Sequence, residues 1–418
     1  METDSQPSNP AALWDLDSIA SSPLGTQVLS EHATGRGRAR VIRREMRYHS
    51  HDWAQGEIVI AAHVALPASP EPVPAIILGT GDADAGEAFC RRHRVAVVVI
   101  DRPGTGESTG PEDFYTNWVY FTDPRESWMR HYINSALRAV TLAQSLPEID
   151  AQRIGITGSS RGGTMAWIAS GVDPRLKLSI PVATGGDIVR ALDQGGWANY
   201  MYRDEAGQPA IPPAFYDFAR CYDPLLYCGH QDGGVLLIVG AQDEFFPILC
   251  TATSARASAT DDFRLLLVAN WDHGYFSGDN PQVHAFDNSR EVSRKRTATV
   301  AAAIEHWLRG AAPLPRLPDL QVEAARARLE VRVAVDAALP IRRVRLFWSA
   351  DSAYTLHALT IKRHADEYAG TLKVAPSSLS ATAVYAEVEY LRGPFLTSIP
   401  WLGPDFRQVM RPFPENGG

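Results

Sequence analysis

Residues 154–163 read Ile154-Gly155-Ile156-Thr157-Gly158-Ser159-Ser160-Arg161-Gly162-Gly163. An apolar run suited to a buried strand, Arg153–Thr157, leads in, and a stretch of helical character, Gly162–Ser170, leads out. Between them lies Gly-x-Ser-x-Gly, centred on Ser160. The strand before and the helix after make this a nucleophile elbow, where five matching letters alone would not. The turn is so tight that the nucleophile takes a strained backbone conformation and flanking side chains would clash, hence the glycines. The helix N-terminus behind Ser160 also favours the negative charge that develops in acyl transfer. A plain Gly-rich turn is the competing reading, and the residues downstream argue against it.

Outward from the elbow, short apolar runs alternate with helical stretches. Val73–Leu78, Val95–Ile100, Leu176–Val182, Val235–Val239 and Phe263–Val268 read as buried strands. Asp84–Arg92, Trp128–Leu146 and Thr297–Leu308 read as helices. Such alternation predicts a mostly parallel sheet covered on both faces. Upstream, Arg40–His49 and Glu57–Leu66 form a hairpin around Gln55-Gly56, and residues 11–31 read as one or two helices broken at Pro23-Leu24-Gly25.

An elbow of this kind is followed in chain order by an acid and then a histidine. The strand Val235–Val239 runs into Gly240-Ala241-Gln242-Asp243-Glu244-Phe245-Phe246-Pro247, which puts Asp243 in the acid's place, with Glu244 the competing carboxylate. The strand Phe263–Val268 is followed by Asn270-Trp271-Asp272-His273-Gly274, which makes His273 the base among twelve histidines. Two backbone N–H groups must bind the oxyanion. One belongs to Arg161, directly after the nucleophile. The other falls in the turn Gly79-Thr80-Gly81-Asp82, at Thr80 or Gly81. The turn Asp101-Arg102-Pro103-Gly104-Thr105-Gly106-Glu107-Ser108 lacks the spacing of a dinucleotide fingerprint and reads as support for the site.

Residues 187–228 interrupt the alternation with an aromatic-rich insert, the pattern of a cap. Its aromatics either line a substrate pocket, with Trp197 and Tyr200 foremost, or pack the insert's own core. After the spacer Gly310–Pro318, which holds Pro313, Pro315 and Pro318, the helical pattern ends. Arg328–Val335, Arg342–Trp348, Leu356–Lys362, Glu367–Val374 and Val384–Leu391 then alternate as strands of an antiparallel β-sandwich.

A net charge of −8 without a basic stripe argues against nucleic acid as a partner. No apolar run is long enough to span a bilayer. Residues 1–10 are polar and predicted disordered. They have neither the basic start nor the apolar middle of a signal peptide, and the four cysteines read as reduced, so the expected location is cytoplasmic. A Cys221–Cys228 bridge stays open, and no CxxC pair suggests a metal site.

The elbow, the Asp-Glu-Phe-Phe turn and the Asp-His-Gly segment together resemble the α/β-hydrolase superfamily over about residues 38–310. Gly158–Gly163 followed by Asp173-Pro174-Arg175-Leu176-Lys177 is similar to acetyl xylan esterases and dienelactone-hydrolase-like enzymes. A further likeness is to the PhoPQ-activated pathogenicity-related family. It rests on Tyr222-Asp223-Pro224, the Gly240–Phe246 turn, Val344–Trp348, Tyr385–Tyr390 and Gly393-Pro394-Phe395. The elbow departs from that family in lacking its Lys-Arg-Gly-Trp continuation.

These resemblances imply an α/β-hydrolase domain over 38–310 with a cap at 187–228. An extension over 1–37 precedes it, and an immunoglobulin-like sandwich over 319–410 follows. The expected activity is cleavage of a small-molecule carboxylic ester through an acyl-enzyme on Ser160, Asp243 and His273, with no cofactor. Peptidase or amidase action on the same triad, and a non-catalytic binding protein on a hydrolase scaffold, are the alternatives.

Overall fold

The computed structural model describes residues 13–258, 260–274, 289–391 and 393–409; the expectation for the first ten residues lies outside them. The chain divides into two compact units. The first comprises residues 1–182, 212–235 and 307–309; the second comprises 183–211, 236–306 and 310–418. The insert at 187–228 is thus shared out, its first part with the second unit and its last part with the first.

In the first unit the strands are β1 (Gln27–Thr34), β2 (Val41–Trp53), β3 (Gly56–Pro67), β4 (Val73–Leu78), β5 (Ala96–Ile100), β6 (Ile149–Ser159) and β7 (Leu176–Val182). Their order is β1-β2-β3-β5-β4-β6-β7. The strands β5, β4, β6 and β7 run parallel, and β3 joins β5 antiparallel. Every residue of β5 is buried, as its unbroken Val-Val-Val run requires of a strand covered on both faces. The helix Trp128–Ser145 packs against this sheet. From within that helix the fully buried Arg138 donates to the carbonyls of Ile19 (2.6 Å) and Pro23 (2.9 Å), satisfying its own charge and fixing the N-terminal segment.

One expectation fails here. Only Leu16–Ser21 of residues 13–31 is helical, and Gln27–Thr34 is the edge strand β1, paired antiparallel with β2. Both of its faces are largely exposed, so the alternation that marks a strand is absent.

The second unit holds most of β8 (Gly234–Gly240), all of β9 (Phe263–Val268) and the helix Arg290–Ala303. It also holds the C-terminal strands β10 (Asp319–Ala325), β11 (Arg328–Ala334), β12 (Ile341–Ser349), β13 (His357–His364), β14 (Glu367–Lys373), β15 (Ala383–Tyr390), β16 (Phe395–Thr397) and β17 (Trp401–Leu402). The antiparallel module expected after the spacer is one curled sheet in the order β10-β11-β14-β13-β12-β15-β16. The turning point is β13. Its first part, to Ile361, pairs with β12, and Lys362–His364 pair with β14. Residues from both halves, among them Leu329, Val331, Leu346, Ile361, Leu372 and Val388, fill one core.

This module is fastened within its unit by threonines. Thr397 Oγ1 accepts from Leu267 N (2.9 Å) and donates to Leu265 O (3.3 Å), occupying backbone groups of β9. Thr299 Oγ1 accepts from Phe395 N (3.0 Å) while its own hydrogen goes to Lys295 O (2.8 Å). No disulfide forms among the described residues, so Cys221 and Cys228 keep their thiols. No described helix is long and apolar enough to cross a membrane.

Candidate active site

Ser160 stands between the end of β6 and the helix Arg161–Val172, with φ +55° and ψ −117°. A residue with a Cβ in this region carries strain of about 1–3 kcal/mol, which surrounding structure must hold in place. Ser160 N donates to Val182 O (2.9 Å), and Ser160 O accepts from Thr164 N (2.9 Å). A Cβ on Gly158 would lie 2.5 Å from the Gly162 carbonyl, and one on Gly162 would collide with Thr80 Oγ1. Both glycines are therefore obligatory for the turn.

Thr80 meets the elbow through its side chain. Its hydroxyl accepts from Ser159 N (3.1 Å) and donates to Ser159 O (3.3 Å), and Tyr132 Oη bonds the neighbouring Gly79 carbonyl. Gly81, with φ +132°, continues that turn. Arg161 is pinned by Asp113: its Nη1 lies 2.6 Å from Asp113 Oδ2, which Arg102 Nε also approaches at 2.9 Å. The guanidinium sits over the Trp118 ring, 5.6 Å from its centroid. Neither the Thr80 strap nor the Asp113 anchor was legible as a motif. Ser108 of the Gly-x-Gly turn accepts from Ala61 N (2.9 Å), the supporting part expected of it.

In the second unit, Asp243 and His273 are brought together. His273 Nδ1 lies 2.9 Å from Asp243 Oδ2 and 3.1 Å from Oδ1. Asp243 is fully buried, and its Oδ1 accepts from the backbone N–H of Phe245 (2.9 Å) and Phe246 (2.8 Å). The two segments are strapped to each other. Ala241 N donates to Val268 O, Gln242 N donates to Trp271 O, and Gln242 Oε1 accepts from Asn270 N. A Cβ on Gly240 would collide with the Trp271 carbonyl, so only glycine permits this approach.

Glu244 takes its own place beside the imidazole, where its Oε2 accepts from His273 N (2.8 Å). Burial, together with the charges of Asp243 and Asp272, pushes the Glu244 carboxyl up to about 7. Burial opposes a charged His273, but Asp243, Glu244 and Asp272 outweigh it and raise the imidazole pKa. One face of the His273 ring stacks on Phe245 at 4.6 Å. Tyr200 stacks on Phe245 in turn at 5.4 Å, and Trp197 N donates to Phe245 O (3.0 Å). Trp197 and Tyr200 are thus buried neighbours of the residue that backs the histidine.

Sequence reasoning missed Gln408. Its Nε2 donates to the Asp243 carbonyl (3.1 Å), its Oε1 accepts from Ile248 N (2.8 Å), and its own N–H donates to Gln194 Oε1 (2.6 Å). Gln194 Nε2 completes the clamp on Phe406 O (3.3 Å). Among the described residues no group of three or more His, Cys, Asp or Glu could hold a metal ion.

The family model of fungal glucuronyl esterases matches residues 52–199. That stretch contains Thr80, Gly81, Ser160, Arg161 and Trp197 and ends before Asp243 and His273. No curated protein matches the chain in sequence. Among solved structures, the acetyl xylan esterase from Paenibacillus sp. R4 superposes with a TM-score of 0.53 at 19% identity, over 67% of this chain and 94% of that one. Acetyl xylan esterase 1 from Thermoanaerobacterium sp. JW/SL YS485 does so with a TM-score of 0.50 at 18% identity, over 70% and 92%. With its strained Ser160 elbow, its parallel strands and these likenesses, the chain has the α/β-hydrolase fold.

Proposed function

We propose that the protein is a carboxylic ester hydrolase acting on small saccharide esters through an acyl-enzyme on Ser160. The observation that carries this reading is the Ser160 backbone, held at φ +55° in a turn where neither Gly158 nor Gly162 tolerates a side chain. The Asp243–His273 pair, the glucuronyl esterase match and the acetyl xylan esterase fold support it.

In this mechanism His273 Nε2 takes the proton of Ser160 Oγ as the oxygen attacks the ester carbonyl. Asp243 holds the proton on Nδ1 and stabilises the imidazolium. The backbone N–H of Arg161 and that of Thr80 or Gly81 receive the oxyanion. Collapse expels the alcohol, protonated by His273, and water repeats the sequence to release the acid. Trp197 and Tyr200 shape the pocket, acting through Phe245.

A fluorophosphonate probe tests the nucleophile. Covalent labelling located at Ser160 by peptide mapping, together with hydrolysis of p-nitrophenyl acetate, is the expected result. Absence of both would assign the fold a binding role. Faster turnover of aminoacyl amides than of matched esters would make it an amidase.

A further inference from the structure

A cavity of about 890 Å³ lies wholly within the first unit. Its walls come from the N-terminal helix, the β2–β3 hairpin, the loop after β5 and the start of the helix Trp128–Ser145. The parallel strands β4, β5 and β6 share one carboxyl-end edge, and the loop after β5 leaves from it. That loop is tied back along the start of β3, through Asp101 N to Ala61 O and Thr109 N to Val59 O. It has two faces. Gly110, Pro111 and Glu112 line the cavity, and the next residue, Asp113, holds Arg161 beside Ser160. The cavity therefore opens on the same sheet edge as the nucleophile, one residue from its anchor.

The lining selects a class of ligand. Four carboxylates (Asp15, Asp52, Glu112 and Glu126) face two guanidiniums (Arg125 and Arg130), a net negative balance that repels phosphates and acidic ligands. Histidine does not offset it. Burial first, then each other and Arg130, lower His51 to about 2, and burial, then Arg130, lower His131 to about 4, so both are neutral. Few apolar side chains are present, which disfavours an acyl chain. Two aromatic rings remain, Trp53 and Tyr120, and Tyr120 is 58% exposed. At the base Asn134, only 3% exposed, keeps a side-chain oxygen with no hydrogen-bond partner. Aromatic faces with carboxylate acceptors and amides suit a neutral polyhydroxylated molecule, whose hydroxyls donate and whose ring carbons lie flat on an aromatic.

We propose that this cavity is an accessory subsite for an uncharged oligosaccharide, holding the chain that carries the ester while its acyl group reaches Ser160. The proposal rests on the saccharide-ester reading above.

The test uses the full chain and two substrates. Tyr120→Ala, at an exposed position, should raise KM for acetylated xylotetraose about tenfold, the cost of truncating an aromatic anchor. It should leave kcat/KM for p-nitrophenyl acetate unchanged. Trp53→Ala should act in the same direction, with thermal melting as its folding control. Unacetylated xylotetraose should bind Ser160→Ala by calorimetry and lose affinity with Tyr120→Ala. An unchanged KM in both variants, or no binding by Ser160→Ala, overturns the subsite even where p-nitrophenyl acetate is hydrolysed. Binding that is lost in Tyr120→Ala, in a protein that hydrolyses no ester, keeps the subsite and overturns the esterase reading.

Discussion

His273 and the pair His51–His131 are all buried, yet their protons are governed in opposite senses. His273 has Asp243 on its Nδ1 and Glu244 on its backbone N–H, and its pKa is raised. His51 Nε2 meets His131 Nδ1 at 2.7 Å, with Ser50 Oγ on the other His51 nitrogen, and the Arg130 guanidinium adds to burial in lowering both. One proton serves that His–His contact, and both pKa values are lowered. Burial alone strips the proton from an imidazole; a carboxylate partner is what returns it. A buried histidine able to take up a proton is therefore identified by its neighbours and not by its depth.

The largest effect should come from converting one setting into the other. Asp243→Asn leaves His273 without its main partner, and turnover should fall roughly 10⁴-fold, about 5.5 kcal/mol in barrier. In the same variant the His273 pKa, followed by NMR, should drop toward the behaviour of the His51–His131 pair. Should Asp243→Asn keep near-normal activity while Glu244→Gln abolishes it, the acid is Glu244.

Next in size is a pH effect on stability. His51 and His131 are lower in the fold than in the unfolded chain, so the unfolded state binds more protons as pH falls below about 6.5. Their contribution is complete above that pH and is lost as pH falls, through about 4 for His131 and toward about 2 for His51, roughly 5 kcal/mol of it between pH 7 and pH 4.5. His273 has the reverse sign, its contribution being present at low pH and lost as pH rises through its raised pKa. Urea unfolding at pH 7 and pH 4.5 should show the first loss, and His51→Gln should shrink it. An equal loss in His51→Gln would remove the pair from the account.

Smaller still is the second carboxylate. Glu244→Gln keeps an acceptor for His273 N but removes a charge, so kcat/KM should fall about tenfold and the acidic limb of its pH profile should move to lower pH. Gln408→Ala, which removes the neutral side-chain hydrogen bonds to Asp243 O and from Ile248 N, should cost about 1 kcal/mol in barrier, roughly fivefold in kcat, with KM for p-nitrophenyl acetate little changed. A melting-temperature loss with unchanged kcat would make the clamp purely structural.

The elbow was readable because its geometry forbids side chains at two positions, which leaves a mark in the residue types. The Asp243 and His273 assignments followed from chain order alone, each just past an apolar run. Gln27–Thr34 was misread because Val28 and Leu29 are both exposed in an edge strand, so no period of two survives. Asp319–Ala325 went unnoticed for a different reason: Asp-Leu-Gln-Val-Glu does alternate, but its apolar side is only Leu320 and Val322, half-buried against the core. His51 and His131 are 80 residues apart and share no motif. A contact of that kind is written in the fold and not in any local pattern.

Gln408 lies 165 residues beyond the Asp243 carbonyl that it holds. A ribosome makes the chain from its N-terminus, so the acid turn emerges long before its clamp exists. Between those moments the whole curled sheet must be synthesised. The bond from Gln408 to the acid turn is therefore available only to a molecule whose C-terminal strands have been made, and chains halted earlier would carry the Ser160, Asp243 and His273 side chains without it.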